Sequence, residues 1–201
     1  MSKKQDANHA PNDLYSHITI IGSVVRKWEA VGFITDEALV FAPCEGGFVC
    51  AGFLCCVGGL VIRVEKRLEV QGGTGTNPVV QTLDYAYNVS LQGSGVIFRY
   101  DNSHGPPPDY PKDDPVQQRE TWHHRHKMSF PPGAEGKGTV DWNVVWPHLS
   151  DVIQEANDWY EEHGEPLGLV GQFADMDTCD WGRFVYLDGK PAGIGPLTQS
   201  R

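Results

Sequence analysis

Three things are scarce in this sequence: long apolar runs, cysteines at metal-binding spacing, and positive charge. The longest apolar run, Phe48 to Val57, contains glycine and reaches about half the length of a bilayer-spanning helix. Met1 to Asp13 is polar and lacks the apolar centre of a secretory signal. No membrane partner is therefore expected. Of the five cysteines, four lie at Cys44, Cys50, Cys55 and Cys56, with no C-x-x-C pair. Neighbouring Cys55 and Cys56 would point to opposite faces of a strand, so neither a disulfide framework nor a zinc knuckle follows. They read as reduced, partly buried small hydrophobes of a cytoplasmic protein. Sixteen Lys and Arg stand against 26 Asp and Glu, a net charge of −10. A phosphate backbone is repelled at long range by that charge, so any nucleic-acid contact must be local.

What is present suits a single core. The 201 residues are 40% hydrophobic and 21% charged, enough for one domain with an appendage. Residues 1–12 read as a flexible tail, 13–164 as the domain and 165–201 as an extension with a candidate hairpin at Arg183 to Ile194. In Leu14 to Trp28 the β-branched residues (Ile18, Thr19, Ile20, Ile21, Val24, Val25) favour a strand, with a short helix at its start as the alternative. Gly32 to Phe41 and Phe48 to Val57 read as further strands. From Leu60 to Val70, apolar residues and Lys66 alternate with Val61, Arg63, Glu65, Arg67 and Glu69, the pattern of a half-buried strand with one charged face. Thr82 to Leu91 and Val96 to Asp101 repeat the alternation, so the three form a meander. Leu149, Val152, Ile153, Ala156 and Tyr160 recur at helical spacing, which predicts a helix from Pro147 to His163 ended by Gly164. The expected class is α+β: an antiparallel meander of about five or six strands packed by one long C-terminal helix.

Chemistry concentrates between Phe98 and Met128. Arg99 and Asp101 share a strand face, His104 follows, a proline-rich loop intervenes, and His123, His124 and His126 come after it. A loop of that length is functional or disordered. In an extended segment His124 and His126 point the same way and His123 oppositely. Three readings stay open. One is metal-independent RNA cleavage, with His124 and His126 as the acid–base pair and Arg99 and Arg125 as phosphate clamps. Here Asp101 orients a histidine, His104 joins the catalytic set, and Glu65 beside Arg63 is an alternative base. Arg63, Tyr100, Asn102, Trp122 and His123 complete the candidate substrate-binding set. In this reading no cofactor is required. The second is a zinc or manganese site built from His124 and His126 with Asp101 or His104. The third is a solvated basic edge strand. His148 and His163 lie on or beside the predicted helix, His163 where the helix dipole accounts for it, and His9 and His17 carry no signal.

These residues also form an ordered series of motifs. Glu65 lies in Val64-Glu65-Lys66, followed by Tyr85-Ala86-Tyr87, Arg99-Tyr100-Asp101-Asn102 with His104, Trp122-His123-His124-Arg125-His126, and the helix from Pro147. Over about Leu60 to Glu161 the chain resembles the TumE-type toxin family of toxin–antitoxin operons, also described as a domain of unknown function. Family members commonly place two histidines soon after the D-N pair, where this chain has only His104. The resemblance implies a toxin whose partner is a small DNA-binding antitoxin. A small sheet carrying a His/Arg/Asp face is also similar to compact ribonuclease toxins, at the level of fold. A non-catalytic protein-interaction module is the alternative from a different class.

Overall fold

The computed structural model describes residues 11–106, 111–112, 122–128, 138–142 and 144–180. Most of the proline-rich loop and the whole candidate hairpin at Arg183 to Ile194 lie outside the described residues. A short strand β1 (Asn12–Asp13) leads into helix α1 (Leu14–Ala30). Strands β2 (Ile34–Cys44), β3 (Gly47–Cys56), β4 (Leu60–Thr74) and β5 (Asn77–Leu91) follow. Then come β6 (Gly95–Asp101), β7 (His124–Lys127), β8 (Thr139–Asp141) and helix α2 (Leu149–His163). Strands β2 to β8 pair in chain order, each antiparallel to the next, and β1 pairs with β5. The α+β class and the meander hold. The sheet has eight strands rather than five or six.

Leu14 to Trp28 is a helix, not the strand its β-branched content suggests. Asp13 caps it, its carboxylate accepting from Ser16 N at 2.9 Å and Ser16 Oγ at 2.6 Å. Ile21, Val25 and Trp28, at helical spacing, are buried. A β-branched residue costs a helix at most ~0.7 kcal/mol relative to alanine, whereas burying a large apolar side chain contributes ~1.5–3 kcal/mol. Packing of one face outweighs propensity. A second correction follows. The sheet is covered by two helices rather than one C-terminal helix, and the N-terminal helix, at 17 residues, is longer than α2 at 15. In α2, His148 rather than Pro147 precedes the first turn, with its N–H donated to Asp151 Oδ2 at 2.8 Å.

Both helices lie on one face, here the inner face. Ile21, Val25 and Trp28 of α1 and Leu149, Val152, Ile153 and Ala156 of α2 share a core with Leu54, Ile62, Val64, Tyr85, Tyr87, Val89 and Phe98 of the sheet. Gly58, at φ +71°, turns β3 into β4, and a Cβ there would stand 2.5 Å from the Tyr160 ring. That close approach fixes the end of α2 against the sheet. On the outer face Ala51, Phe53 and Val61 are covered by Ala174, Met176 and Cys179 from the segment after α2. The same segment is tied to the turn after β5: Gln92 Nε2 donates to the Asp175 carbonyl at 2.8 Å and Gln92 Oε1 accepts from Asp175 N at 2.8 Å. All five cysteines are free thiols, and burial pushes those of Cys50 and Cys55 up to about 12. Among the described residues no helix is long and apolar enough to cross a membrane.

Candidate functional site

Register on the outer face does what alternation predicts. Arg63 on β4 lies opposite Asn88 on β5, Asn88 opposite Arg99 on β6, and Arg99 opposite His126 on β7. One step along, Glu65, Ala86, Asp101 and His124 form a parallel row. Residues directly across an antiparallel sheet share a face. Two rows therefore cross four strands, and in the second the small Ala86 stands between Glu65 and Asp101.

Asp101 is the centre. Its side chain is fully buried, with Arg99 Nε 2.7 Å from Oδ2 and His124 Nε2 3.2 Å from Oδ1. Ser103 donates to Oδ1 twice, from Oγ at 2.6 Å and from N at 3.2 Å. His126 Nε2 stands 3.8 Å from Oδ2. Burial by itself raises the Asp101 pKa, but the His124 and Ser103 contacts and the Arg99 charge outweigh it and hold the carboxyl well below its ordinary range. The His126 pKa is lowered as well, which for an imidazole favours the neutral ring: burial, then the His124 charge, outweigh the pull of Asp101.

The ring of His124 can be assigned. Its Nδ1 lies 2.8 Å from the Trp122 carbonyl, which only accepts, so Nδ1 carries the proton. Nε2 then faces Asp101 Oδ1 without a well-aligned hydrogen bond. In a neutral ring that contact opposes two lone pairs, so a proton or a metal cation must occupy Nε2. His104 repeats the arrangement, with Nδ1 3.0 Å from the Gly105 carbonyl. A donor atom from each of His104, His124 and His126 lies within 4.8 Å of the others. Trp142, from the connection after β8, packs on His104 and His124 at ring centroid distances of 5.9 and 4.5 Å.

Other expected site residues are placed elsewhere. Arg125 points to the inner face, over the Phe98 and Tyr100 rings, and is ion-paired with Glu155 of α2. Tyr100 donates its hydroxyl to the same Glu155 at 2.7 Å. His123 stacks on Tyr85 and Trp146 on the inner side, as expected of its position beside His124. Asn102 holds backbone: its Oδ1 accepts from Tyr85 N at 2.9 Å and its Nδ2 donates to the Leu83 carbonyl at 3.0 Å. Trp122 contributes its carbonyl to His124 and lays its ring over Gly105. Glu65 is ion-paired with Arg63 on the outer face, and burial raises its pKa against the pull of Arg63 and Arg99.

Comparison with protein-family models, curated proteins and solved structures finds no match. Asn88, Ser103 and Trp142 belong to the site and were not singled out from the sequence. Asn88 and Ser103 had a legible signal, since Asn88 lies on the polar face of its strand and Ser103 lies between Asp101 and His104. Trp142 had none, because only the fold brings it back.

Proposed function

We propose that the chain is a toxin-like nuclease that cleaves RNA on the outer face of its sheet, with Asp101, His104, His124 and His126 gathering a divalent metal. The convergence of three imidazoles beside a buried carboxylate carries this reading. An in-line attack on phosphorus places base and acid on opposite sides of the phosphate, whereas these nitrogens converge on one region. His124 is also fully buried and reaches a substrate only through a bound group. Three imidazoles and a carboxylate suit zinc. Carbonyls holding Nδ1 of His124 and His104 are the outer contacts that metal-binding histidines ordinarily have. A bound metal would supply a polarised phosphoryl oxygen and a more acidic water. Arg99, whose side chain is 38% exposed, would take the phosphate on its outer edge, and Glu65 would accept a proton.

One observation favours a metal-free variant. Arg99 already neutralises Asp101 at 2.7 Å, so a divalent metal would add two positive charges that this carboxylate no longer offsets. His126 would then be the base. The toxin assignment, with RNA as substrate and an antitoxin as partner, rests on the order of the sequence motifs, whose Glu65, Arg99, Asp101, His124 and His126 lie on β4, β6 and β7 of one sheet. With a net charge of −10, any RNA contact must be local.

The test is incubation of purified protein with total RNA, with and without a chelator, beside the His124→Ala/His126→Ala variant. Cleavage lost to chelator and variant supports the metal centre. Cleavage lost only in the variant supports the metal-free form. No cleavage, with the protein folded, removes the nuclease reading and leaves a protein-interaction module.

A further inference from the structure

The opposite face of the sheet holds a second polar group with a different history. Lys66 is the single charged residue on the inner face of β4, in the alternation Leu60, Ile62, Val64, Lys66, Leu68, and it is 7% exposed. Among the described residues no carboxylate pairs with it and no hydrogen bond satisfies it. Its side chain lines a cavity of about 470 Å³ between α1, the start of α2 and strands β4 and β5. That volume lies within the range of small-molecule sites.

Chemistry around the cavity is one-sided. The lining includes Lys66, His17 and His148 and no acidic residue, in a chain with ten more acidic than basic residues. His17 Nε2 is buried without a hydrogen-bond partner. Leu149 and Ser150, the first two residues of the 15-residue helix α2, also line it, and N–H groups there have no partner within the helix. The rest is apolar, including Ile21, Val24, Val64 and Val80. A buried ammonium, a helix N-terminus and an apolar wall point to one ligand class.

We propose that this cavity binds a small organic anion, a carboxylate on an apolar body, with its head on the Lys66 ammonium and its tail among Ile21, Val24 and Val80. The anion supplies the charge that no side chain among the described residues supplies. Burial holds the Lys66 pKa down to about 8 and that of His17 to about 4 in the free protein, so at neutral pH His17 is neutral while Lys66 remains largely charged. Asp151, next to the cavity, is engaged in capping α2 and does not reach Lys66 as a hydrogen-bonded partner. Cys50, whose thiol burial keeps neutral, leaves the ammonium uncompensated.

The proposal is independent of RNA cleavage, and its test reads binding alone. Isothermal titration of the full chain with decanoate at pH 7 is expected to give saturable binding of one decanoate per chain. Decanol, which lacks the charge, and inorganic phosphate, which lacks the tail, should each bind at least tenfold more weakly. Lys66→Met keeps the apolar volume and should weaken decanoate at least tenfold while remaining folded by circular dichroism. Raising the pH from 7 to 10 should weaken decanoate for the native chain and leave the variant unchanged. Absence of saturable binding, or equal binding by decanol or by the Lys66→Met variant, overturns the proposal.

Discussion

The two faces of the sheet handle buried charge in opposite ways. On the outer face Asp101 is surrounded by partners from its own and neighbouring strands: Arg99, Ser103, His124 and His126 all approach within 3.8 Å. On the inner face Lys66 is buried with no such partner among the described residues. A buried charge is tolerated when the protein itself supplies compensation. The outer cluster is thus a preassembled polar centre, while on the inner face a cavity lies beside the buried ammonium. The same strand, β4, serves both, sending Glu65 outward and Lys66 inward.

The comparison can be broken most sharply at Asp101. Asp101→Asn leaves the buried His124 and the Arg99 guanidinium without their counter-charge and should cost ~3–5 kcal/mol in stability, measured by urea unfolding. RNA cleavage should fall at least ~100-fold, the scale of a lost acid–base or metal-orienting group. A variant as stable as the native chain would show that the cluster is not held by this carboxylate.

Next in size is Lys66→Met. A lysine pKa lowered from 10.5 to about 8 corresponds to ~3 kcal/mol of unfavourable burial at neutral pH. The sign follows from proton counting. Between pH 8 and 10.5 the unfolded chain binds more protons than the folded one, so native stability rises with pH across that window. The variant should therefore be more stable than the native chain at pH 7, and the gap should narrow by pH 10. A gap that is constant with pH would mean that Lys66 is not desolvated.

Asn102→Ala should cost ~1–3 kcal/mol by leaving the Tyr85 N–H unsatisfied in the strand. Its effect should be on thermal stability, with the remaining cleavage activity tracking the folded fraction. Arg125→Ala should do least. Its pair with Glu155 is partly exposed, so the loss should be no more than ~1 kcal/mol. RNA cleavage per folded molecule should not change, since Arg125 lies on the inner face. A large loss of cleavage would place Arg125 in the site after all.

Period-two patterning made the outer face legible before any coordinates. Arg63 and Glu65, Arg99 and Asp101, and His124 and His126 fall on one side, and His123 on the other, because each lies in a strand whose side chains alternate. Register between strands is not written locally, so the two cross-strand rows could not be read, whereas Glu65 and Arg63, two residues apart on one strand, could be placed side by side. Arg125 shows the same limit in reverse. Its position beside the histidines suggested a clamp, but alternation places it over Phe98 and Tyr100. The helix α1 was hidden by its β-branched residues, and with it the cavity. Lys66 was visible as a charge on an apolar face, but nothing showed that α1 would close over it.

The most direct measurement of the central claim, that three imidazoles and Asp101 converge on one cation, is the metal content of the purified chain after equilibration with zinc and removal of excess. The account predicts one zinc per chain in the native protein, lost when His104, His124 and His126 are together replaced by alanine. A native, folded chain that retains no zinc would contradict it and leave the outer face to proton chemistry alone.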